Sequence, residues 1–377
     1  MLQVKKILLL PLLNSMPSGH HQAAKAIEEY ITGYSEEIEC KKVDLLSEWN
    51  AGAEKAIVKF YLSWIRHAPA LYSLFYRISA NKPAKKTPSH PLYDFLFLDK
   101  MEQIIAEEKP DLIICTHAFA SYFINKLKQM GKCPMPCVNV YTDFFINDLW
   151  GKSEIEYHFV PSLQVKSELQ SSRGIQEENV FITGIPVSLK FDEQLKKEEE
   201  NGRLTMLIFG GNKDLSNLVK SLKSGNRNRT WDFQILTSKN EISFKKAKAF
   251  NSDTVEILPD ISSKEKMNHL YSNADAFVTK PGGVSISEAL RKNVPIFIHS
   301  ALPGQEKINL NYLSAQKLVF EVPENENLVD FVEDTLSDKE KMREHKEAVQ
   351  RYRDSLTLRK AEEIFFFIKK ASAAGNT

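Results

Sequence analysis

Cysteine is scarce, with only Cys40, Cys115, Cys133 and Cys137 in 377 residues, too few for a disulfide framework. A reducing cytosol is the simpler setting. Cys133-x3-Cys137 has no second Cys/His pair at zinc spacing, and Pro134 and Pro136 read as a stiff loop entering a strand. No apolar run approaches the roughly 20 residues that span a bilayer, so membrane contact is expected to be peripheral. There is no D-x-D carboxylate pair, which argues against a metal holding a diphosphate. The G-x-G-x-x-G and G-x-x-x-x-G-K-[ST] loops are absent as well. Charge of one sign is also lacking: 50 Lys+Arg against 49 Asp+Glu give +1, which excludes a globally basic nucleic-acid binder.

What is present is a soluble composition, 42% apolar, 10% aromatic and 26% charged, in a chain long enough for two domains. Lys5-Lys6 followed by apolar Ile7 to Leu13 resembles a minimal secretory signal, but no A-x-A-like site follows. A buried parallel strand is the preferred reading. Short β-branched runs then alternate with helical patterns along nearly the whole chain. Strands are expected at 5–13, 38–44, 110–115, 137–142, 156–160 and 179–183. A second series is expected at 203–209, 232–237, 254–258, 274–279, 294–298 and 317–321. Between the series, Leu195 to Arg203 is too polar to pack in a core. The expected fold is α/β: two doubly wound Rossmann-like domains, 1–190 and 200–355, facing a central cleft with ligands at the carboxyl ends of the strands. Residues 356–377 are expected to form a C-terminal helix and tail. Ile364-Phe365-Phe366-Phe367-Ile368 is apolar most of the way round, so that helix should pack deeply on the first domain.

Three loops of the second half carry the donor-site candidates. Thr279-Lys280-Pro281-Gly282-Gly283-Val284-Ser285 joins a strand to a helix, where backbone N–H groups and the positive helix end suit a diphosphate. Glu288, one turn on, is placed to accept from two ribose hydroxyls; a tight turn with an acidic helix start competes with this reading. Phe209-Gly210-Gly211-Asn212 ends another strand, and Pro303-Gly304-Gln305-Glu306 follows a third. In the first half, His20 of Ser18-Gly19-His20-His21 sits at a helix N-terminus, which disfavours the protonated form and leaves a neutral base available; for an isolated histidine a polar loop residue is the favoured competing reading. His21 is expected to face solvent. Tyr141-Thr142-Asp143-Phe144 and Cys115-Thr116-His117 end neighbouring strands. Asp143 is open to three readings: a second base, a group orienting His20 or the acceptor, or a turn cap. His117 reads as a lining residue.

These motifs, in this order and over about residues 6–311, resemble processive diacylglycerol glucosyltransferases and plant monogalactosyldiacylglycerol synthases. The resemblance is more distant to the lipid II-forming N-acetylglucosaminyltransferase of peptidoglycan synthesis. Ser18-Gly19-His20, Thr142-Asp143-Phe144, Thr183-Gly184-Ile185-Pro186, Lys280-Pro281-Gly282-Gly283 with Glu288, and Pro303-Gly304-Gln305-Glu306 carry it. It implies the GT-B fold, a UDP-sugar donor on the second domain, no metal or other cofactor, and transfer of a hexosyl group with inversion. Residue by residue it implies His20 as general base, Gly283 and Ser285 in the diphosphate loop, Glu288 on the ribose, and Gln305 and Glu306 on the sugar. Asn14-Ser15-Met16-Pro17 departs from the Gly-rich turn usual before the histidine.

Residues 55–90 hold seven Lys/Arg and no Asp or Glu, interleaved with aromatics, so the balanced total conceals a basic patch. Lys59, Trp64, Arg66 and Arg77 are candidates for meeting the acceptor and an anionic membrane surface; aromatics in a domain core with solvated cations are the competing reading. The resulting expectation is a cytoplasmic enzyme peripheral to the inner membrane face, glycosylating diacylglycerol or a glycolipid, with no nucleic-acid partner. A soluble acceptor, a UDP-sugar epimerase or hydrolase, and a non-catalytic UDP-sugar-responsive regulator are the alternatives.

Overall fold

The structure is a computed structural model that describes residues 5–12, 18–48, 90–197, 202–209, 230–237 and 248–374, with Leu222 and Phe244. The chain divides into two compact units. One comprises Met1–Leu189, Pro303–Gln305 and Arg353–Thr377; the other comprises Lys190–Leu302 and Glu306–Tyr352.

The first unit is built on a six-stranded sheet whose strands are β1 (Lys6–Leu10), β2 (Glu39–Lys42), β3 (Leu112–Cys115), β4 (Cys137–Val140), β5 (Tyr157–Val160) and β6 (Val180–Ile182). All pairings are parallel, in the order β2-β1-β3-β4-β5-β6. The run Ile7-Leu8-Leu9-Leu10 explains why β1 is central. Leu8 and Leu10 enter one core cluster while Ile7 and Leu9 enter another, so both faces of the strand are buried. Helices α1 (Gly19–Thr32), α2 (Pro91–Glu108), α3 (Ala118–Gln129) and α4 (Leu163–Arg173) connect these strands.

The second unit repeats the plan with β7 (Leu204–Phe209), β8 (Trp231–Leu236), β9 (Val255–Leu258), β10 (Ala276–Thr279), β11 (Ile296–Ile298) and β12 (Phe320–Glu321). These pair in the order β12-β11-β10-β7-β8-β9, again all parallel. Its helices are α5 (Lys264–Asn273), α6 (Gly283–Lys292), α7 (Gln305–Ala315), α8 (Leu328–Ser337) and α9 (Lys339–Asp354). In each sheet the strand order reverses once, between β1 and β3 and between β7 and β10, and such switch points open a crevice at the carboxyl ends of the strands.

The last helix, α10 (Ala361–Ala374), packs on the first unit, as its composition predicts. Ile364, Phe365 and Ile368 are buried with Ile27 and Ile31 of α1, while Phe366 is 56% exposed. The Phe367 ring lies 4.3 Å from that of Phe181. The preceding segment is fastened to β6, with Thr357 N–H donating to the Ile182 carbonyl at 2.7 Å and Ile182 N–H to Thr357 Oγ1 at 2.8 Å. Among the described residues no helix is long and apolar enough to cross a membrane.

Candidate active site

In the first unit, the adjacent strands β1, β3 and β4 deliver their carboxyl ends to one place. His20 is the second residue of α1, Thr116 and His117 follow β3, and Thr142 and Asp143 follow β4. The His20 Nδ1 lies 2.9 Å from the Thr116 carbonyl oxygen and 2.7 Å from Thr142 Oγ1. A carbonyl oxygen only accepts, so the 2.9 Å contact requires the proton on Nδ1 and leaves Nε2 with its lone pair. Burial lowers the affinity of His20 for a second proton, opposed by the negative charge of Asp143 and the Thr116 hydrogen bond. The result is a neutral imidazole with a fixed tautomer and a carboxylate nearby that favours its protonated form.

The His117 ring meets that of His20 edge to face, with centroids 4.4 Å apart and planes at 77°. His117 caps α3, its Nδ1 accepting the Phe119 N–H at 3.0 Å. Burial, with His20 and His21 beside it, holds His117 well below the ordinary histidine range. His21 differs from expectation: it is half-buried, and its Nδ1 lies 3.2 Å from Ser18 Oγ. The side chain that opens α1 thus turns back onto the helix start.

In the second unit, Lys280-Pro281-Gly282 leads from β10 into α6, so Gly282, Gly283, Val284 and Ser285 form the turn and first residues of that helix. Gly282 is exposed, with φ −82° and ψ 132°, and a Cβ placed on it would meet nothing within 4 Å. The open space over this helix start suits an anion approaching backbone N–H groups. Asn309 Nδ2 donates to the Pro281 carbonyl at 3.2 Å, bracing the turn from α7. Lys280 Nζ stands 4.0 Å from Glu306 Oε2, which also accepts the Leu302 N–H at 2.6 Å. Gln305 opens α7.

Glu288 is only 5% exposed, and both of its oxygens are engaged. Oε1 accepts from Lys264 Nζ at 2.8 Å and Oε2 from the Tyr271 hydroxyl at 3.2 Å. Burial and the Glu288 charge raise the Tyr271 hydroxyl well above the ordinary tyrosine range, so it remains a donor. The Lys264 ammonium also lies 5.5 Å from the centroid of the Phe191 ring. Lys264 and Tyr271 are partners that the sequence pattern did not single out. They belong to α5, and only packing of α5 beside α6 brings them to the carboxylate. His299, after β11, was likewise missed; burial and the Lys280 charge lower its pKa.

The candidates Gly210, Gly211, Lys59, Trp64, Arg66 and Arg77, and the divergent loop at Asn14 to Pro17, lie outside the described residues. Among the described residues no three His, Cys, Asp or Glu side chains gather as a metal site.

The family model of monogalactosyldiacylglycerol (MGDG) synthase matches residues 20–187, and that of glycosyl transferases group 1 matches residues 184–352. The chain is 36% identical to the glycosyltransferase YkoN of Bacillus subtilis (strain 168), over 96% of each chain. The chain belongs to the glycosyltransferases, its first half matching the MGDG synthase model and its second half the group 1 model. It is a hexosyltransferase. A processive diacylglycerol β-glucosyltransferase of Bacillus cereus (strain B4264) is 26% identical over 88% of this chain and 86% of its own. Among solved structures, MurG of Acinetobacter baumannii superposes with a TM-score of 0.61 at 13% identity, covering 97% of this chain and 99% of its own, a likeness of fold. The two parallel six-stranded α/β units are those of the GT-B type.

Proposed function

We propose that this glycosyltransferase moves a hexosyl group from a UDP-sugar to a hydroxyl of diacylglycerol or a glycolipid, with inversion, at the cytoplasmic face of a membrane. The observation that carries the reading is the tautomer of His20, whose Nδ1 hydrogen bond to the Thr116 carbonyl leaves Nε2 as a neutral base. The acceptor oxygen attacks the anomeric carbon, the bond from that carbon to the β-phosphate oxygen breaks, and the acceptor proton passes to His20 Nε2. A single displacement without a covalent sugar intermediate inverts the anomeric centre. Asp143 offsets the imidazolium charge that this step creates.

The departing diphosphate gathers negative charge, and the donor-site residues answer it. The Gly282-Gly283 helix start offers oriented N–H groups, and Lys280 a nearby cation. Glu288, held by Lys264 and Tyr271, has lone pairs left for the ribose hydroxyls. The diacylglycerol glucosyltransferases among the relatives favour a lipid acceptor, and the basic, aromatic stretch 55–90 suits an anionic membrane surface.

The test is a panel of UDP-sugars incubated with a bacterial lipid extract, scored by mass spectrometry. A new glycolipid one hexosyl unit heavier than its acceptor supports the reading. Turnover confined to water-soluble acceptors, with no sedimentation on anionic vesicles, would reject the lipid acceptor.

A further inference from the structure

The two histidines after β1 and β3 carry opposite free nitrogens. His20 Nδ1 donates to the Thr116 carbonyl, so its Nε2 is a lone pair. His117 Nδ1 accepts the Phe119 N–H, so in the neutral ring its proton sits on Nε2. Neither Nε2 has a hydrogen-bond partner among the described residues, and neither is among the sealed, unsatisfied polar atoms. With the rings 4.4 Å apart and nearly perpendicular, one proton acceptor and one proton donor stand side by side at the switch point of the sheet.

We propose that His117 is a specificity-determining residue for the acceptor. Its Nε2–H binds an oxygen on the carbon next to the reacting hydroxyl, while His20 Nε2 receives the proton of that hydroxyl. The pair selects acceptors in which two oxygens are vicinal, as in a glycerol ester or a sugar diol, over a lone alcohol. An N–H given to the neighbouring oxygen orients the acceptor without weakening the attacking one. The inference rests on the transferase reading above and deepens it by naming the recognised chemistry.

The tautomers are read first, without any substrate, from long-range ¹H–¹⁵N spectra of the ¹⁵N-histidine-labelled enzyme at pH 7. His20→Gln and His117→Asn variants assign the signals. The structure requires a protonated Nδ1 in His20 and a protonated Nε2 in His117. The same tautomer in both, or a doubly protonated His117, overturns the proposal even if transfer is confirmed. Dioctanoylglycerol and octyl glucoside should then shift both Nε2 signals, whereas 1-octanol should shift only that of His20. Equal shifts of His117 by all three would also overturn it.

Kinetics with UDP-glucose supply the third reading. Asparagine preserves the α3 cap but lacks the distal N–H, so His117→Asn should melt like wild type. Its KM for dioctanoylglycerol should rise about three- to tenfold, the loss of one neutral hydrogen bond, with KM for UDP-glucose unchanged. His117→Ala, which also removes the cap, should melt lower. An unchanged KM for dioctanoylglycerol in His117→Asn rejects the role. Absence of transfer to either lipid-like acceptor by wild type rejects the lipid reading instead, and leaves the spectra to decide the pair.

Discussion

The two units use one architecture for opposite electrostatic purposes. In the first, the segments after β1 and β3 present uncharged imidazoles, held by a backbone carbonyl, a backbone N–H and the Thr142 hydroxyl after β4, with the Asp143 carboxylate nearby. In the second, the loop and helix after β10 present backbone donors beside formal charges, with Lys264 against Glu288 and Lys280 near Glu306. A base must be neutral to take a proton, so burial without a tight ion pair suits the first set. A leaving diphosphate is already anionic, so fixed N–H groups and cations suit the second. The sheet supplies the same crevice twice, and the side chains at its rim decide the chemistry.

The comparison breaks most visibly at His20. His20→Ala should lower kcat for transfer by about 10²- to 10⁴-fold, the usual contribution of a general base, while UDP affinity measured by calorimetry stays the same. A parallel loss of UDP binding would erase the division of labour. Glu288→Gln is expected next in size, because it leaves the partly buried Lys264 ammonium without its counter-charge. It should cost roughly 3 kcal/mol in denaturant unfolding of the second unit and weaken UDP binding. Gly282→Ala sharpens the donor side. Its backbone is open to any residue and the added methyl meets no protein atom, so its melting temperature should match wild type. About tenfold weaker UDP binding would then report a ligand over that turn. Unchanged affinity would move the diphosphate elsewhere.

A smaller effect sets a structural histidine of the first unit apart from the proposed base. His158 is fully buried, and burial pushes its pKa down to about 3. An unfolded histidine takes its proton near 6.5, so between these values the unfolded chain binds the extra proton. The contribution is therefore complete above about pH 6.5 and is lost as pH falls through that window, by roughly 1.4 kcal/mol per pH unit. Urea unfolding from pH 7.5 to 4.5 should show a shallower fall in His158→Gln than in wild type. Parallel profiles would remove His158 from the acid response.

The strands were readable because parallel strands buried on both faces appear as continuous apolar runs, as in Leu112-Ile113-Ile114-Cys115. Their ends were less so. Apolar Leu12 lies in the expected strand 5–13 and is buried, yet the ladder stops at Leu10. Hydrophobicity reports burial, not hydrogen-bond pairing. The positions of the glycine turn before α6 and of the histidine at the start of α1 were legible because strand-to-helix turns are signalled locally in the chain. The Thr116 carbonyl that fixes His20 was not, since every residue carries a carbonyl and only the fold aims this one. Lys264 and Tyr271 were hidden for a related reason, because contacts between α5 and α6 depend on packing rather than on periodicity.

The central claim, a neutral His20 acting as base, is tested most directly by the pH dependence of kcat/KM for glycosyl transfer. Burial places the His20 pKa below the ordinary 6.5. Wild type should therefore hold a plateau at neutral pH and lose activity about tenfold per unit below a midpoint under 6.5, and the residual activity of His20→Ala should lack that acid limb. The same acid limb in His20→Ala, or transfer by that variant near the wild-type rate, would contradict the account.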